Sequence, residues 1–264
     1  MSLAGLEAPR RPLGARLLDL LVWGGLALAL LISTAPVDLG KLPLLFVNSG
    51  NIQEFSHDLL RPDFEHWRLY AAQMWLTVQI ALWGTALAVL LAIPLGLLCA
   101  RNIAPLWIQQ PMRLLINLLR SVPDLVLGII FIVAVGLGPF SGVMALAVNT
   151  GAVLAKLFSE AVEAIDPGPV EGVRATGATR LQEIVWGVIP QVGPHWTSYA
   201  LYRFESNARS ATVLGLIGAG GIGQTLFDSI NGFQYRQTSA ICVVIVIAVT
   251  LIDLLSQAMR QRLI

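Results

Sequence analysis

Seven ionisable side chains fall inside long apolar stretches: Arg120, Asp124, Lys156, Glu160, Arg203, Glu205 and Arg209. A charge at bilayer depth is costly, and marks a solute path, a proton relay or a buried ion pair. Three pairs of opposite sign stand four residues apart: Arg120 with Asp124, Lys156 with Glu160, and Glu205 with Arg209. On a helix that spacing brings side chains together and lowers the cost of burying each one. Arg203 has no such partner in its own stretch. Tyr199, Arg203, Asn207 and Ser210 form one polar stripe at helical spacing, and Glu205, Arg209 and Thr212 form a second. A helix with two polar stripes should line a wet cavity or a subunit interface, not lipid. Passage of a small anion suits this set, because the planar donors of arginine match the oxygens of a phosphorus oxyanion. An interhelical salt-bridge network without solute contact is the alternative use of the same residues.

Ser121 and Asp124 have the spacing of a capping box, and Pro123 between them removes a backbone donor. The helix is therefore expected to kink or restart here. A half-helix N-terminus inside a bundle attracts anions, with Arg120 facing the anion and Asp124 as its counter-ion. Gly218-Ala-Gly220-Gly-Ile-Gly223 has the form G-x-G-x-x-G. A dinucleotide site needs a strand before that motif, and here an apolar helix precedes it. Gly218, Gly220, Gly221 and Gly223 instead suit a tightly bent gating loop, surrounded by protein if it lies at membrane depth. His57 and His66 lack metal-ligand spacing, and Cys99 and Cys242 lie in separate apolar segments. Neither a metal site nor a disulfide is expected.

Long apolar elements must position these residues. The chain has 264 residues, of which 56% are apolar and 12% charged, against about 25% charged in a soluble domain. Apolar segments run over about 17–35, 71–100, 112–137, 140–165, 188–216 and 238–258. In lipid each must be helical, since an open strand edge leaves backbone groups without partners. The expected fold is all-α: a polytopic membrane protein of about six transmembrane helices, with a tail over 1–16 and one transmembrane domain over 17–264. The segment 17–35 lacks a small-residue cleavage site and is expected to be a retained helix. With the N-terminus inside, Arg10, Arg11, Arg16, Arg101, Arg113, Arg174, Arg180, Arg260 and Arg262 are cytoplasmic, while Lys41, Arg61, Arg68 and Arg236 are outside. That excess inside predicts two cytoplasmic termini, a periplasmic loop over 36–70 and a cytoplasmic loop over 166–187. The outer loop holds Asp38, Glu54, Asp58, Asp63 and Glu65, and a short surface helix is expected near its end. Pro111 is expected in the first turn of the third span.

Asp166-Pro-Gly-Pro169 should end the fourth span sharply. A short helix from about Pro169 to Thr176 is expected after it, with Gly177 as its cap. Such a helix across the membrane face is a knob for a partner's groove. The spacing of Glu171, Gly177 and Pro190 resembles the "EAA" signature of ABC importer permeases, Glu-Ala-Ala-x3-Gly-x9-Ile-x-Leu-Pro. Here Glu171-Gly172-Val173 replaces Glu-Ala-Ala, Gly187 stands at the isoleucine and Ile189 at the leucine. Arg120-Ser-Val-Pro-Asp-Leu125, Asp166-Pro-Gly-Pro-Val170, Arg174-Ala-Thr-Gly-Ala178 and Ala219-Gly-Gly-Ile-Gly223 together resemble the permease subunit of phosphonate and phosphite importers. That resemblance runs from about residue 70 to the C-terminus.

The resemblance implies a type I ABC importer permease fold in the bacterial inner membrane. It also implies a homodimer, a cytoplasmic ATPase in two copies that binds the ATP and magnesium, and a periplasmic or lipid-anchored binding protein. Glu171, Arg174, Gly177 and Pro190 would couple to the ATPase. The chain has no Walker A sequence and needs no cofactor of its own, so it is expected to be a transport subunit and not an enzyme. No nucleic-acid partner is expected. Three other readings stay open: a permease for an amino acid such as methionine, an ion-coupled transporter using Lys156 and Glu160 as a proton relay, and a membrane scaffold.

Overall fold

The computed structural model describes residues 13–41, 43–44 and 56–262, with side chains from residue 18 onward in those ranges. The expectations placed on Arg10, Arg11, Glu54 and the side chain of Arg16 lie outside the described residues. Among the described residues there is no strand. The chain divides into two units, Met1–His57 and Asp58–Ile264. The first holds α1 (Leu13–Ser33), 21 residues long and hence about 30 Å at 1.5 Å per residue, the thickness of a bilayer core. Its described apolar side chains are exposed, from Leu18 to Ile32, as a lipid-facing helix requires.

The second unit contains α2 (Trp67–Cys99), α3 (Leu106–Ser121), α4 (Asp124–Val135), α5 (Pro139–Glu163) and α6 (Pro167–Ala175). A single turn, Arg180–Gln182, and a π-helical segment, Glu183–Val188, lead into α7 (Ile189–Leu214), followed by α8 (Ile222–Asn231) and α9 (Tyr235–Arg260). Helices α2, α5 and α9 are each long and apolar enough to cross a membrane. Two bent pairs add to them: α3 with α4, at 92°, and Arg180–Ala219 with α8, at 57°. Counting each bent pair as one span gives five, the number expected after residue 70, while the apolar stretch Leu18–Ser33 of α1 is shorter than these.

Helices α2 and α5 form the centre of the unit. Ala81, Gly84, Ala88, Ala92 and Gly96 line one face of α2, against Ala145, Leu146, Ala152, Ala155 and Phe158. Small residues let the two backbones approach, which is how helices gain dispersion contacts in lipid. A Cβ added at Gly84 would come within 2.8 Å of the Leu146 Cβ, and one at Gly96 within 2.8 Å of the Phe158 Cβ. Trp196 of α7 stacks on Phe158 with ring centroids 4.6 Å apart, which seats the polar helix α7 on this core.

One sequence expectation needs correction here. Pro111 does not open the third span: Pro105, with φ −66° and ψ 153°, is the N-cap, and Pro111 lies inside α3. An extended Pro105 already satisfies the start of a helix. The third span breaks at Pro123 as expected: the chain leaves the helix at Val122 and Pro123 and restarts at Asp124.

Candidate functional site

The break at Val122–Pro123 and helix α7 build an interior polar cluster. Pro123 is the extended N-cap of α4, as its missing donor and fixed φ favour. The Val122 carbonyl freed by the break accepts from Asn149 Nδ2 at 3.0 Å. The expected capping box does not form: the Ser121 hydroxyl donates back to Leu118 O at 2.7 Å, and α4 has no side-chain cap. Nor do Arg120 and Asp124 form a helical pair, since the break puts them on different helices. Asp124 instead turns to α7, where Ser210 Oγ donates to its Oδ2 at 3.0 Å. Arg120 is exposed.

Arg203 lies within this cluster. Its Nη2 reaches Thr150 Oγ1 at 3.4 Å, while its Nε is buried with no partner. Asp124, of opposite charge, and Arg120, of like charge, both act on it. Beneath it, Asn207 is fully buried and joins three helices. Thr150 Oγ1 of α5 donates to its Oδ1 at 2.8 Å, and its Nδ2 donates to Thr85 Oγ1 of α2 at 2.8 Å. Tyr199, one turn earlier, packs against the core with Trp196. The two stripes of α7 thus separate: the Tyr199–Ser210 stripe faces α2, α4 and α5, and the Glu205–Arg209 stripe faces α9. Arg209 bonds Glu205 at 3.0 Å and Asp253 at 3.3 Å, and Arg260 reaches Glu205 at 3.2 Å. Lys156 and Glu160 form a loose pair at 3.8 Å, both about half exposed, apart from this cluster.

The glycine motif forms the second bend. Gly218, Gly220 and Gly221 have φ of +102°, +78° and +76°, values that side chains with a Cβ disfavour. Gly221 N-caps α8, whose Ile222 N–H donates to Thr77 Oγ1 at 2.9 Å. A Cβ at Gly221 would lie 2.3 Å from that oxygen, and one at Gly223 would lie 1.9 Å from Thr212 O. Gly220, Gly221 and Gly223 are buried, so protein surrounds the bend as its backbone requires.

Helix α6 starts at Pro167, two residues before the expected position. Asp166 Oδ1 accepts from Gly168 N at 2.9 Å as the N-cap, and Pro167 and Pro169 take first-turn positions where no donor is needed. Gly177, at φ +82°, ends it by donating to Arg174 O at 3.0 Å, as expected. Arg174 makes a two-pronged bond to Glu183, Nε–Oε1 at 2.9 Å and Nη2–Oε2 at 3.0 Å. That bond holds the Glu183 carboxyl below its ordinary range and raises Arg174. Glu171 is exposed on α6, and Pro190 opens α7. A cavity of about 390 Å³ lies between α6 and the α2–α3 connection, with Asn102, Glu163, Arg174 and Glu183 on its walls.

A bundle with a capped surface helix and two bent spans is the frame of a known class. The family described as "Binding-protein-dependent transport system inner membrane component" matches residues 92–264. The chain belongs to that family. Among its relatives, a phosphite transport system permease protein of Stutzerimonas stutzeri is 40% identical over 217 residues, 80% of this chain and 78% of that protein. A putative cryptic phosphonate transport system permease protein of Escherichia coli K12 is 61% identical over 121 residues, 46% of this chain and 99% of that protein. A phosphate-import permease protein of Mycolicibacterium smegmatis is 42% identical over 189 residues, covering 71% of this chain and 36% of that protein. Among solved structures, an inward-facing MetNI methionine ABC transporter chain matches 76% of this chain and 99% of its own, with TM-score 0.67 at 21% identity. That likeness supports the type I importer permease fold.

In this family member, sequence reasoning missed Thr85, Thr150, Glu183 and Gln191. Asn149 and Thr150 interrupt an apolar span, and that interruption was a readable signal. Glu183 stands nine residues from Arg174 across a turn, a separation with no helical or strand period to flag it.

Proposed function

We propose that this chain is the membrane-spanning permease subunit of an ATP-driven importer of phosphite, phosphonate or a closely related small phosphorus oxyanion. The observation that carries it is the 40% identity to a phosphite permease across 80% of the chain. In this reading two copies form the pathway and a binding protein delivers the anion from the periplasm. Two copies of a separate ATPase, which holds the ATP and magnesium, engage α6 in the cytoplasm. Both termini then lie in the cytoplasm and the protein sits in a bacterial inner membrane.

The Arg203 cluster supplies the polar route. An arginine with a buried, unpartnered Nε keeps a donor free for an oxyanion, and Asp124, held by Ser210, is the negative charge that balances it when the site is empty. Arg120, Ser121, Tyr199 and Asn207 adjoin that cluster, whereas the Lys156–Glu160 and Glu205–Arg209 pairs lie on other faces and join the route only where a second copy meets them. The Gly218–Gly223 bend acts as its gate.

The test is uptake of phosphite and methylphosphonate into proteoliposomes containing the permease, its ATPase and its binding protein. Uptake that needs ATP and an intact ATPase is expected. Uptake that instead follows a proton gradient, with Lys156→Ala abolishing it, would establish an ion-coupled transporter. ATP-driven uptake of an amino acid, with neither phosphorus compound as competitor, would reassign the cargo.

A further inference from the structure

Helix α6 meets the start of α7 in a constant antiparallel register. Asp166 pairs with Gln191, Val170 with Gly187, and Arg174 with Glu183, four residues apart on each side. At the first rung Asp166 N donates to Gln191 Oε1 at 3.1 Å, and Gln191 Nε2 returns a bond to Asp166 O at 3.2 Å. At the second, a Cβ on Gly187 would lie 3.0 Å from Val170 Cα, so the helices touch backbone to side chain. This explains why glycine stands where the importer signature has isoleucine. The third rung is the two-pronged Arg174–Glu183 bond.

We infer that Arg174 and Glu183 are positioning residues that latch α6 and α7 into one lever, so that a push on α6 is delivered to the Arg203 region of α7. This rests on the proposed importer reading. Gln191 precedes Arg203 by twelve residues of continuous helix, about 18 Å along its axis, so displacement of the lever's foot reaches the polar cluster directly. The Glu183 side chain is only 11% exposed, and such a carboxylate needs its cation to stay in place. The π-helical form of Glu183–Val188 is the kind of helix irregularity that concentrates at working sites. Arg180 bonds Ile103 O at 2.6 Å, which ties the base of the lever to the α2–α3 connection.

The latch is tested in proteoliposomes of the full complex by counting ATP hydrolysed per phosphite imported. Arg174→Glu and Glu183→Arg should each raise that ratio roughly tenfold, the size of a typical coupling effect. For Glu183→Arg, which lies outside α6, co-purification with the ATPase should be unchanged. The double swap, Arg174→Glu with Glu183→Arg, should recover most of the loss, which a docking role for Arg174 alone does not predict. If either single variant keeps the wild-type ratio, or an assembled double swap is as impaired as the singles, the latch is overturned.

A second measurement avoids dependence on charge reversal. Arg174→Cys with Glu183→Cys, bridged by a short bis-methanethiosulfonate cross-linker (each thiolate displacing a sulfinate to form a reducible disulfide) in a Cys99→Ala, Cys242→Ser background, should still transport, because the lever does not open. Loss of transport on bridging, restored by cleaving the bridge, overturns rigidity. Absence of any ATPase-dependent uptake by the wild type would overturn the importer reading, whereas a coupled wild type with indifferent swaps defeats the latch alone.

Discussion

At the scale of single residues, Arg203 and Glu183 show two ways of keeping a charge in a crowded place. Arg203 is held by distant neighbours and keeps a buried donor free. Its removal should therefore cost function more than folding. Arg203→Ala is expected to lower phosphite uptake at least about tenfold with normal ATPase assembly, while Arg203→Lys, a point charge without the planar fork, should recover only part. Wild-type uptake by the alanine variant would take Arg203 off the route. Glu183 is instead fully committed to Arg174, and that bond depresses its carboxyl. A depressed folded-state value means that the pair's contribution is present above the ordinary carboxylate range and is lost as pH falls through the depressed value. Arg180 and Glu171 are the other charges facing this pair. Hydrogen-exchange protection of residues 166–177 should thus stay flat from pH 8 down through the ordinary glutamate value of about 4.3 and fall only at lower pH. In Glu183→Gln it should be low throughout. Protection of the wild type that already declines between pH 7 and pH 6 would point to another titrating group.

At the scale of elements, the spans were legible because lipid imposes length and polarity, and the capped helix α6 because Asp166, its prolines and Gly177 have strong local preferences. The i,i+4 pairs of charges were legible only where the helix continues. Lys156–Glu160 and Glu205–Arg209 form as spaced, whereas Arg120 and Asp124 are parted by the turn at Pro123. Partners across helices left no trace in spacing: Ser210 for Asp124, Asp253 for Arg209, and Thr85 for Asn207. Packing decides those, and a single sequence holds no record of which faces meet. Gly187 and Gly221 test the packing directly. Gly187→Ile, which restores the signature residue, should force Val170 off its seat and lower transport per ATP. Gly221→Ala combines a strained φ of +76° with a contact 2.3 Å from Thr77 Oγ1, and should destabilise the detergent-solubilised protein by roughly 1–3 kcal/mol. Unfolding midpoints equal to wild type would mean that the bend relaxes at no cost.

At the scale of the molecule, the polar residues left on the outside of the bundle determine what the chain needs around it. Arg209 keeps 48% and Asp253 34% of its side chain exposed, and Lys156 and Glu160 are similarly open. Lys156, Glu160 and Asp253 sit on long apolar helices and Arg209 on the neighbouring α7, where lipid contact with charge is costly. A second copy that covers these faces, or encloses water between them, satisfies the charges that one chain leaves open. The expected assembly is therefore a pair of permeases carrying a pair of ATPases, and native mass spectrometry of the purified complex should give two copies of each. The pairing should also be functional. Co-expressed wild-type and Arg203→Ala chains, purified through different tags so that each complex holds one of each, should transport at well under half the wild-type rate if both copies build one route. Transport at half the rate, as two independent routes would give, or a complex with one permease, would require these charged faces to be covered by something other than a second copy.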